Sequence, residues 1–447
     1  MKKMMFASLS ILLLLGAVLA ACGGGGGAQE APAEQGSAPT EDAGASEGTA
    51  AGGAAEGEPT EIVFWGGYGP ESEMPKIIEA FEKEHPNIKV KNEYFPSHTA
   101  LLQKVQVVSS SGEKPDLIAY DMINVPITNE LVPLVDLNQY ISTDTEFDVE
   151  DFYPAFRQFG AIDGKQLSLH MTSNNLLLFY NKKLFREAGL DPEDPPETWD
   201  ELLDYAKKLT KDGQWGYQVT GVNDAYFESM SWQFQTLVWQ NGGEVWNSDF
   251  TAPAFNDAKG QEALQFLVDL IHTHKVTPLN APEKGFENGR VGMILQGTWM
   301  TKDYEDNLGE ELGAAFLPKK EKYATNVGGN ELMIVQSDEK RQAAAWEFFK
   351  HLMSKDVQIQ LSKASGELPS RKSIMESEEF QQYLEEHPAY RASAEQMQYG
   401  MYRAPITPYL QASEALYKEL QKAVYGEASP QEALDTAAKN IQGILAQ

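Results

Sequence analysis

The stretch EIVFWGGYGPESEMPKIIEAFEKEHPNIKV, residues 61–90, decides the fold. Glu61-Ile62-Val63-Phe64-Trp65 is a short apolar run closed by a Gly-rich turn, the pattern of a buried strand. Met74, Ile77, Ile78 and Phe81 then recur at i, i+3, i+4, i+7, which is one face of a helix. Ile88, Val90 and Tyr94 alternate with polar residues as a second strand. Working outward, Leu101, Val105 and Val108 mark a second helix that Gly112 can cap, and Asp116 to Tyr120 form a third strand. Strand, helix, strand, helix, strand predicts a parallel sheet with right-handed crossovers, whose ligands sit at the carboxyl ends of the strands.

The same pattern returns further on and predicts a second lobe built alike. Thr198 and Glu201 form a capping box ahead of Leu202, Tyr205, Ala206 and Leu209. Leu264, Leu267, Val268 and Ile271 repeat the helical face, as do Ala345, Phe348, Phe349 and Leu352. Ser429, Pro430 and Glu432 open the last helix with another such cap. No fixed-period repeat is present.

The first 60 residues do not belong to this body. Lys2 and Lys3 precede an uncharged run from Met4 to Ala21 with the apolar block Ile11 to Leu15, as in an export signal. It ends Leu19-Ala20-Ala21-Cys22, which resembles the lipobox of bacterial lipoproteins; this implies lipidation of Cys22 and anchoring at the outer face of the cytoplasmic membrane. Residues 23–60 hold Gly, Ala, Glu, Pro and Ser, with seven acids, no base and no aromatic. Such a segment cannot bury enough apolar surface to fold and reads as a tether spanning roughly 35 Å.

Of 447 residues, 66 are acidic and 36 basic, a net charge of −30. That charge repels a phosphate backbone, and no basic patch offsets it, so nucleic acid is excluded as a partner. The single cysteine can close no intrachain disulfide and supply no thiolate metal cluster. Gly44-Ala45-Ser46-Glu47-Gly48 matches the GxSxG pattern but lies in the tether, where no strand-to-helix elbow can hold a nucleophile. The seven histidines include no HExxH and read as surface residues; there is no Walker loop, and no carboxylate pair stands out for glycoside hydrolysis. No catalytic residue, metal or cofactor is expected.

What the chain does supply is aromatic and amide side chains near strand ends. Trp65 and Tyr68 follow the first strand, and Tyr120 and Asp121 end the third. Trp232, Trp239 and Trp246 flank Gly242-Gly243, and Gly297-Thr298-Trp299 follows the apolar run Val291 to Leu295. Sugar faces stack on aromatic rings and their hydroxyls need planar donors and acceptors, so a cleft of Trp, Tyr, Asp and Asn suits carbohydrate. Trp199, Trp215 and Trp346 read as packing residues.

Several further segments, by their order and spacing, carry a family resemblance. They include Ile62-Val63-Phe64-Trp65, Lys114-Pro115-Asp116-Leu117, Leu178-Phe179-Tyr180-Asn181-Lys182, Pro196-Glu197-Thr198-Trp199, Gln240-Asn241-Gly242-Gly243, Gly297-Thr298-Trp299, Val327-Gly328-Gly329-Asn330 and Ser429-Pro430-Gln431-Glu432. Over nearly all of residues 61–447 the chain resembles the extracellular solute-binding proteins of sugar ABC transporters, the group of maltose-binding protein and the glycerol-3-phosphate-binding protein. The resemblance implies an α/β, two-lobed clamshell of the type II periplasmic-binding-protein kind, each lobe a mixed or parallel sheet flanked by helices. Residues 61–172 and 328–370 would form lobe I, residues 173–327 and 371–447 lobe II. Crossing strands would lie near Met171 to Asn175, Asn326 to Gly329 and Gly366 to Lys372. A monomer of this kind would hold a small carbohydrate between its lobes and present it to the membrane permease.

By matching motifs, the resemblance implies stacking roles for Tyr120, Trp232 and Trp299, a ligand-contacting acid at Asp121 and a hinge serine at Ser173. Trp65, Tyr68, Gln103, Asn174, Gly328, Gly329 and Arg403 join the implied ligand-binding set, with Arg403 able to fork onto a phosphate or onto vicinal hydroxyls. A bulky ring at Trp299, where the glycerol phosphate binder is small and polar, favours a neutral sugar over a phosphodiester; His98 stands where that relative has tyrosine. Alternatives are a receptor for glycerol-3-phosphate or a glycerophosphodiester, a secreted glycoside hydrolase and a surface adhesin.

Overall fold

A computed structural model describes residues 58–111, 114–221 and 228–446. The expectations for Cys22, the signal, the Gly44–Gly48 pattern, most of the tether and the Gly112 cap lie outside these residues.

The opening alternation folds as read. β1 (Thr60–Gly66) lies between β2 (Ile88–Tyr94) and β3 (Leu117–Asp121), parallel to both, with the helices Met74–Glu84 and His98–Ser111 as crossovers. Beyond a small hairpin, β4 (Ala161–Ile162) and β5 (Lys165–Gln166), comes β6 (Leu169–Asn181), thirteen residues all buried. β7 (Trp215–Val219), β8 (Val291–Gly297), β9 (Leu312–Ala315), β10 (Thr325–Ile334), β11 (Leu368–Pro369) and β12 (Gly400–Tyr402) complete the set. The path of the sheet is β2-β1-β3-β10-β6-β8-β7. β10 runs antiparallel to β3 and β6, β8 antiparallel to β6, and β7 parallel to β8. Both lobes therefore have mixed sheets, where the opening stretch alone suggested a purely parallel one.

The period of two along the strands sorts side chains onto opposite faces. In lobe I, Ile62, Phe64, Leu117, Ala119, Leu332 and Ile334 face the helices Met74–Glu84 and Glu339–Leu352. Trp65, Ile118, Tyr120, Met333 and Val335 face the helix His98–Ser111, with its Leu101, Val105 and Val108. In lobe II, Leu176, Leu178 and Tyr180 share a core with the helices Trp199–Leu209, Glu228–Gln240, Ala258–His272, Tyr409–Val424 and Pro430–Leu445. Leu177, Phe179 and Ile294 pack on the other face against Phe286, Tyr304 and Ala389.

β6 changes partners midway, and this joins the lobes. Through Asn175 it pairs with β10; from Leu176 it pairs with β8, and from Leu178 also with β9. The change falls between Asn175 and Leu176. Side chains take over from the ladder there: the Thr325 hydroxyl accepts from the Leu176 N–H (3.1 Å) and donates to its carbonyl (2.9 Å), which also accepts from Gln396 Nε2 (2.6 Å).

Candidate functional site

A chamber of about 450 Å³ lies at the ends of these strands, lined by His98, Asp121, Asn174, Leu176, Thr220, Ser229, Trp232, Gln233, Gln296, Trp299, Gly329, Asn330, Glu367 and Arg403. Its position at the carboxyl end of β3 follows from the sheet order.

Two indoles form one wall. Trp232, on the helix Glu228–Gln240, is 7% exposed, and Trp299, in the turn Thr298–Met300 after β8, is 41% exposed. Their ring centroids are 5.7 Å apart at 52°. Each ring is seated on a glycine: a Cβ on Gly297 would lie 2.1 Å from the Trp299 ring, and one on Gly328 would lie 2.4 Å from that of Trp232. Glycine at those two positions lets the indoles lie against the backbone.

The floor is polar. Asp121 caps the turn Met122–Asn124 by accepting from the Ile123 N–H (3.2 Å), and its Oδ1 also accepts from Arg403 Nη2 at 2.7 Å. Arg403 is 2% exposed, and its guanidinium carbon lies 4.4 Å from the Trp232 ring centroid. His98 Nδ1 is 3.6 Å from Asp121 Oδ2; burial holds the imidazole below its ordinary value of 6.5, against the pull of Asp121. On the other side Asn174 Nδ2 donates to Glu367 Oε1 at 2.6 Å. Gly329 has φ +148°, and a Cβ there would come within 1.9 Å of the Thr172 carbonyl, so only glycine fits this turn of the floor.

Of the residues singled out from sequence, Asp121, Asn174, Trp232, Trp299, Gly329 and Arg403 come together in the chamber. Gly328 lies beneath Trp232. Trp65 and Tyr120 do not reach it: strand alternation turns both under the helix His98–Ser111, where Trp65 packs on Phe95 and the Tyr120 hydroxyl donates to the His98 carbonyl (2.8 Å). Tyr68 stacks on Phe64 behind the floor, where burial and the nearby Glu367 push its phenol up. Gln103 is exposed on its helix and away from the chamber wall, and Ser173 is fully buried, its hydroxyl 3.9 Å from Met397 Sδ. Trp239 and Trp246 are core residues of lobe II.

The histidines are not all at the surface. His98 lines the chamber, and His170 is fully buried on Phe156, its Nδ1 2.7 Å from Glu331. Sequence reasoning also passed over Glu367, Gln233, Gln296 and Asn330. Gln296 is the penultimate residue of β8, so the rule that ligands sit at the carboxyl ends of strands would have found it, whereas Glu367 precedes β11 (Leu368–Pro369), at the end to which that rule does not point. Among the described residues no group of three His, Cys, Asp or Glu side chains is placed to hold a metal ion, and no helix is long and apolar enough to cross a membrane.

Residues 76–389 match the family model of the bacterial extracellular solute-binding protein. The cyclic α-maltosyl-1,6-maltose binding protein of Arthrobacter globiformis is 32% identical, with a TM-score of 0.77 over 87% of this chain and 99% of its own. An ABC substrate-binding protein of Listeria monocytogenes, solved in complex with cycloalternan, is 25% identical at a TM-score of 0.77 over 87% and 100%. The sn-glycerol-3-phosphate-binding periplasmic protein of Pectobacterium atrosepticum is 24% identical over 415 residues, 86% of this chain and 91% of that one. The match over residues 76–389, on a clamshell whose cleft lies where β6 passes between lobes, shows that the chain belongs to the bacterial extracellular solute-binding proteins.

Proposed function

We propose that this chain is the capture component of an ABC importer and takes a neutral saccharide between its lobes for delivery to the membrane permease. The observation that carries the reading is Trp299: a large indole 41% exposed, standing beside Trp232 above a floor of carboxylate, amide and guanidinium groups. Exposed aromatic surface costs solvation free energy unless a ligand covers it, and a pyranose face does so while its hydroxyls meet the floor. The ligand-binding set is Asp121, Asn174, Trp232, Trp299, Gly329 and Arg403, to which Gln233, Gln296, Asn330 and Glu367 are added.

Charge favours a neutral ligand over a glycerol phosphate. The lining holds two carboxylates, Asp121 and Glu367, against one guanidinium, and Asp121 already accepts from that guanidinium at 2.7 Å. A phosphate entering here would meet net negative charge in a partly dry cleft. We take the lobes as residues 61–175 with 328–370, and 176–327 with 371–447. Acylation of Cys22 would hold this body, as a monomer, at the outer face of the membrane. The role is transport and assigns no catalytic residue.

A thermal-shift screen of neutral mono- and oligosaccharides with sn-glycerol-3-phosphate and glycerophosphodiesters tests this. Saturating saccharide, at about 100 times its Kd, should stabilise the protein by about 2.7 kcal/mol. A shift with the phosphates alone overturns the neutral-sugar reading, and a saccharide recovered shortened overturns transport in favour of hydrolysis.

A further inference from the structure

Behind the chamber floor lies a polar group with no surface to offer a ligand. His170, Glu331 and Ser168 are all fully buried. Glu331 stands opposite His170 of β6 on one side and Tyr120 of β3 on the other, in a layer that also holds the apolar Ile118 and Met333. Apolar side chains of similar size hold such a layer together as well as, or better than, a buried carboxylate and imidazole. Cohesion alone therefore does not account for the group.

Its geometry ties it to the floor. His170 Nδ1 lies 2.7 Å from Glu331 Oε1, the Ser168 hydroxyl donates to Glu331 Oε2 at 2.7 Å, and the imidazole stacks on Phe156 with ring centroids 4.4 Å apart. The remaining edge of the ring faces Gly329: a Cβ on that glycine would lie 2.6 Å from His170 Nε2 and 2.8 Å from Cε1. The backbone is irregular at two points here. Gly329 has φ +148°, and one residue on the ladder slips: Asn330 pairs with Thr172 but Glu331 with His170, which leaves Met171 as the extra residue of a bulge. In unbroken register Met171 would face Glu331. Gly329 and Asn330, both in the chamber lining, thus stand between two irregularities, and His170 touches the first and pairs at the second.

We infer that His170 and Glu331 are positioning residues for ligand capture: their hydrogen bond pins the slipped register, and the imidazole backs Gly329, so that Gly329 and Asn330 are presented to the ligand in one fixed conformation. The inference rests on the reading of this chamber as the capture site and holds whichever solute is captured. Neither residue touches the ligand.

The test compares the wild type with the triple variant His170→Leu, Glu331→Leu, Ser168→Ala, which strands no polar partner of the group, and with Glu331→Gln, which keeps an acceptor for Ser168 and a hydrogen-bonding partner for His170. Each is melted, its backbone hydrogen exchange is followed over residues 327–332, and it is titrated calorimetrically with α-1,4- and α-1,6-linked glucose oligomers of two to five units and with sn-glycerol-3-phosphate. The triple variant should melt no lower than the wild type, yet exchange at least fivefold faster over 327–332 and bind the tightest of these probes tenfold or more weakly. Glu331→Gln should stay within threefold of wild-type affinity. If the triple variant does not fold, His170→Gln decides: it can still donate to Glu331 but no longer backs Gly329, so exchange should rise and affinity fall threefold or more. A lower melting point with unchanged affinity, or wild-type exchange over 327–332, overturns the inference and leaves the capture reading standing. If none of the probes binds the wild type, the capture reading falls and the inference with it.

Discussion

Two indoles that lie on glycine backbone set the character of the cleft. Trp232 rests on Gly328 and Trp299 on Gly297, so ring placement depends on two missing Cβ atoms. Gly328→Ala should push Trp232 out of line and lower saccharide affinity about tenfold, which is ~1.4 kcal/mol, as read by calorimetry. Beneath Trp232 the pair Asp121–Arg403 is buried at 7% and 2% exposure. Removing one partner strands the other charge, at a cost of about 3–5 kcal/mol. Arg403→Met alone should therefore destabilise the protein in urea more than Arg403→Met with Asp121→Asn. Equal losses would show that the pair carries no coupling. At this scale the sequence was half legible. Asp121, Trp232, Trp299 and Arg403 were found by motif, but Trp65 and Tyr120 pass to the other face of the sheet through the same period-two alternation that identified their strands.

The elements were the most legible part. Hydrophobic spacing placed the helices Met74–Glu84 and Ala258–His272, and both capping boxes, Thr198 with Glu201 and Ser429 with Glu432, are present with their reciprocal hydrogen bonds. Thr198→Ala should cost about 1 kcal/mol in a urea titration. The helix Glu339–Leu352 carries two titrating contacts that no spacing rule reveals, because their partners lie more than 200 residues away. The Lys350 ammonium, aided by the Trp346 indole, holds the Asp144 carboxyl below its ordinary 3.8. Burial holds His351 below 6.5. For His351 the unfolded chain binds the proton more readily, so stability is flat above about pH 7 and falls as pH drops through 6.5, with His98 adding to the same limb. For Asp144 the contribution is full above 3.8 and is lost as pH falls through its lower folded value. Urea midpoints against pH should show both limbs. Asp144→Asn should flatten the acid one and His351→Gln should shrink the one below pH 6.5.

At the scale of the molecule, the opening 61–120 stretch announces one parallel unit but not the sheet that joins two. β6 is polar from Thr172 to Asn175 and apolar from Leu176 to Tyr180, so its composition turns at Asn175–Leu176, but no pattern within the strand says that its partners change there. That point depends on Thr325 and Gln396, 149 and 220 residues away, and only the chain's resemblance to a family brought the crossing near. In the lobe division proposed above Asp121 and Arg403 belong to different lobes, and a ligand that touched both would favour the closed state. Small-angle scattering should show the radius of gyration falling when saccharide is added; no change would remove closure from the account. The most direct measurement is calorimetric titration of the wild type and of Trp299→Ala with the saccharide that stabilises the protein most, beside sn-glycerol-3-phosphate. Saccharide should bind the wild type with a micromolar or tighter Kd, weaken 5- to 30-fold in Trp299→Ala, about 1–2 kcal/mol of stacking, and outcompete the phosphate. Tight binding of the phosphate to both proteins, with saccharide inert, would contradict the central claim.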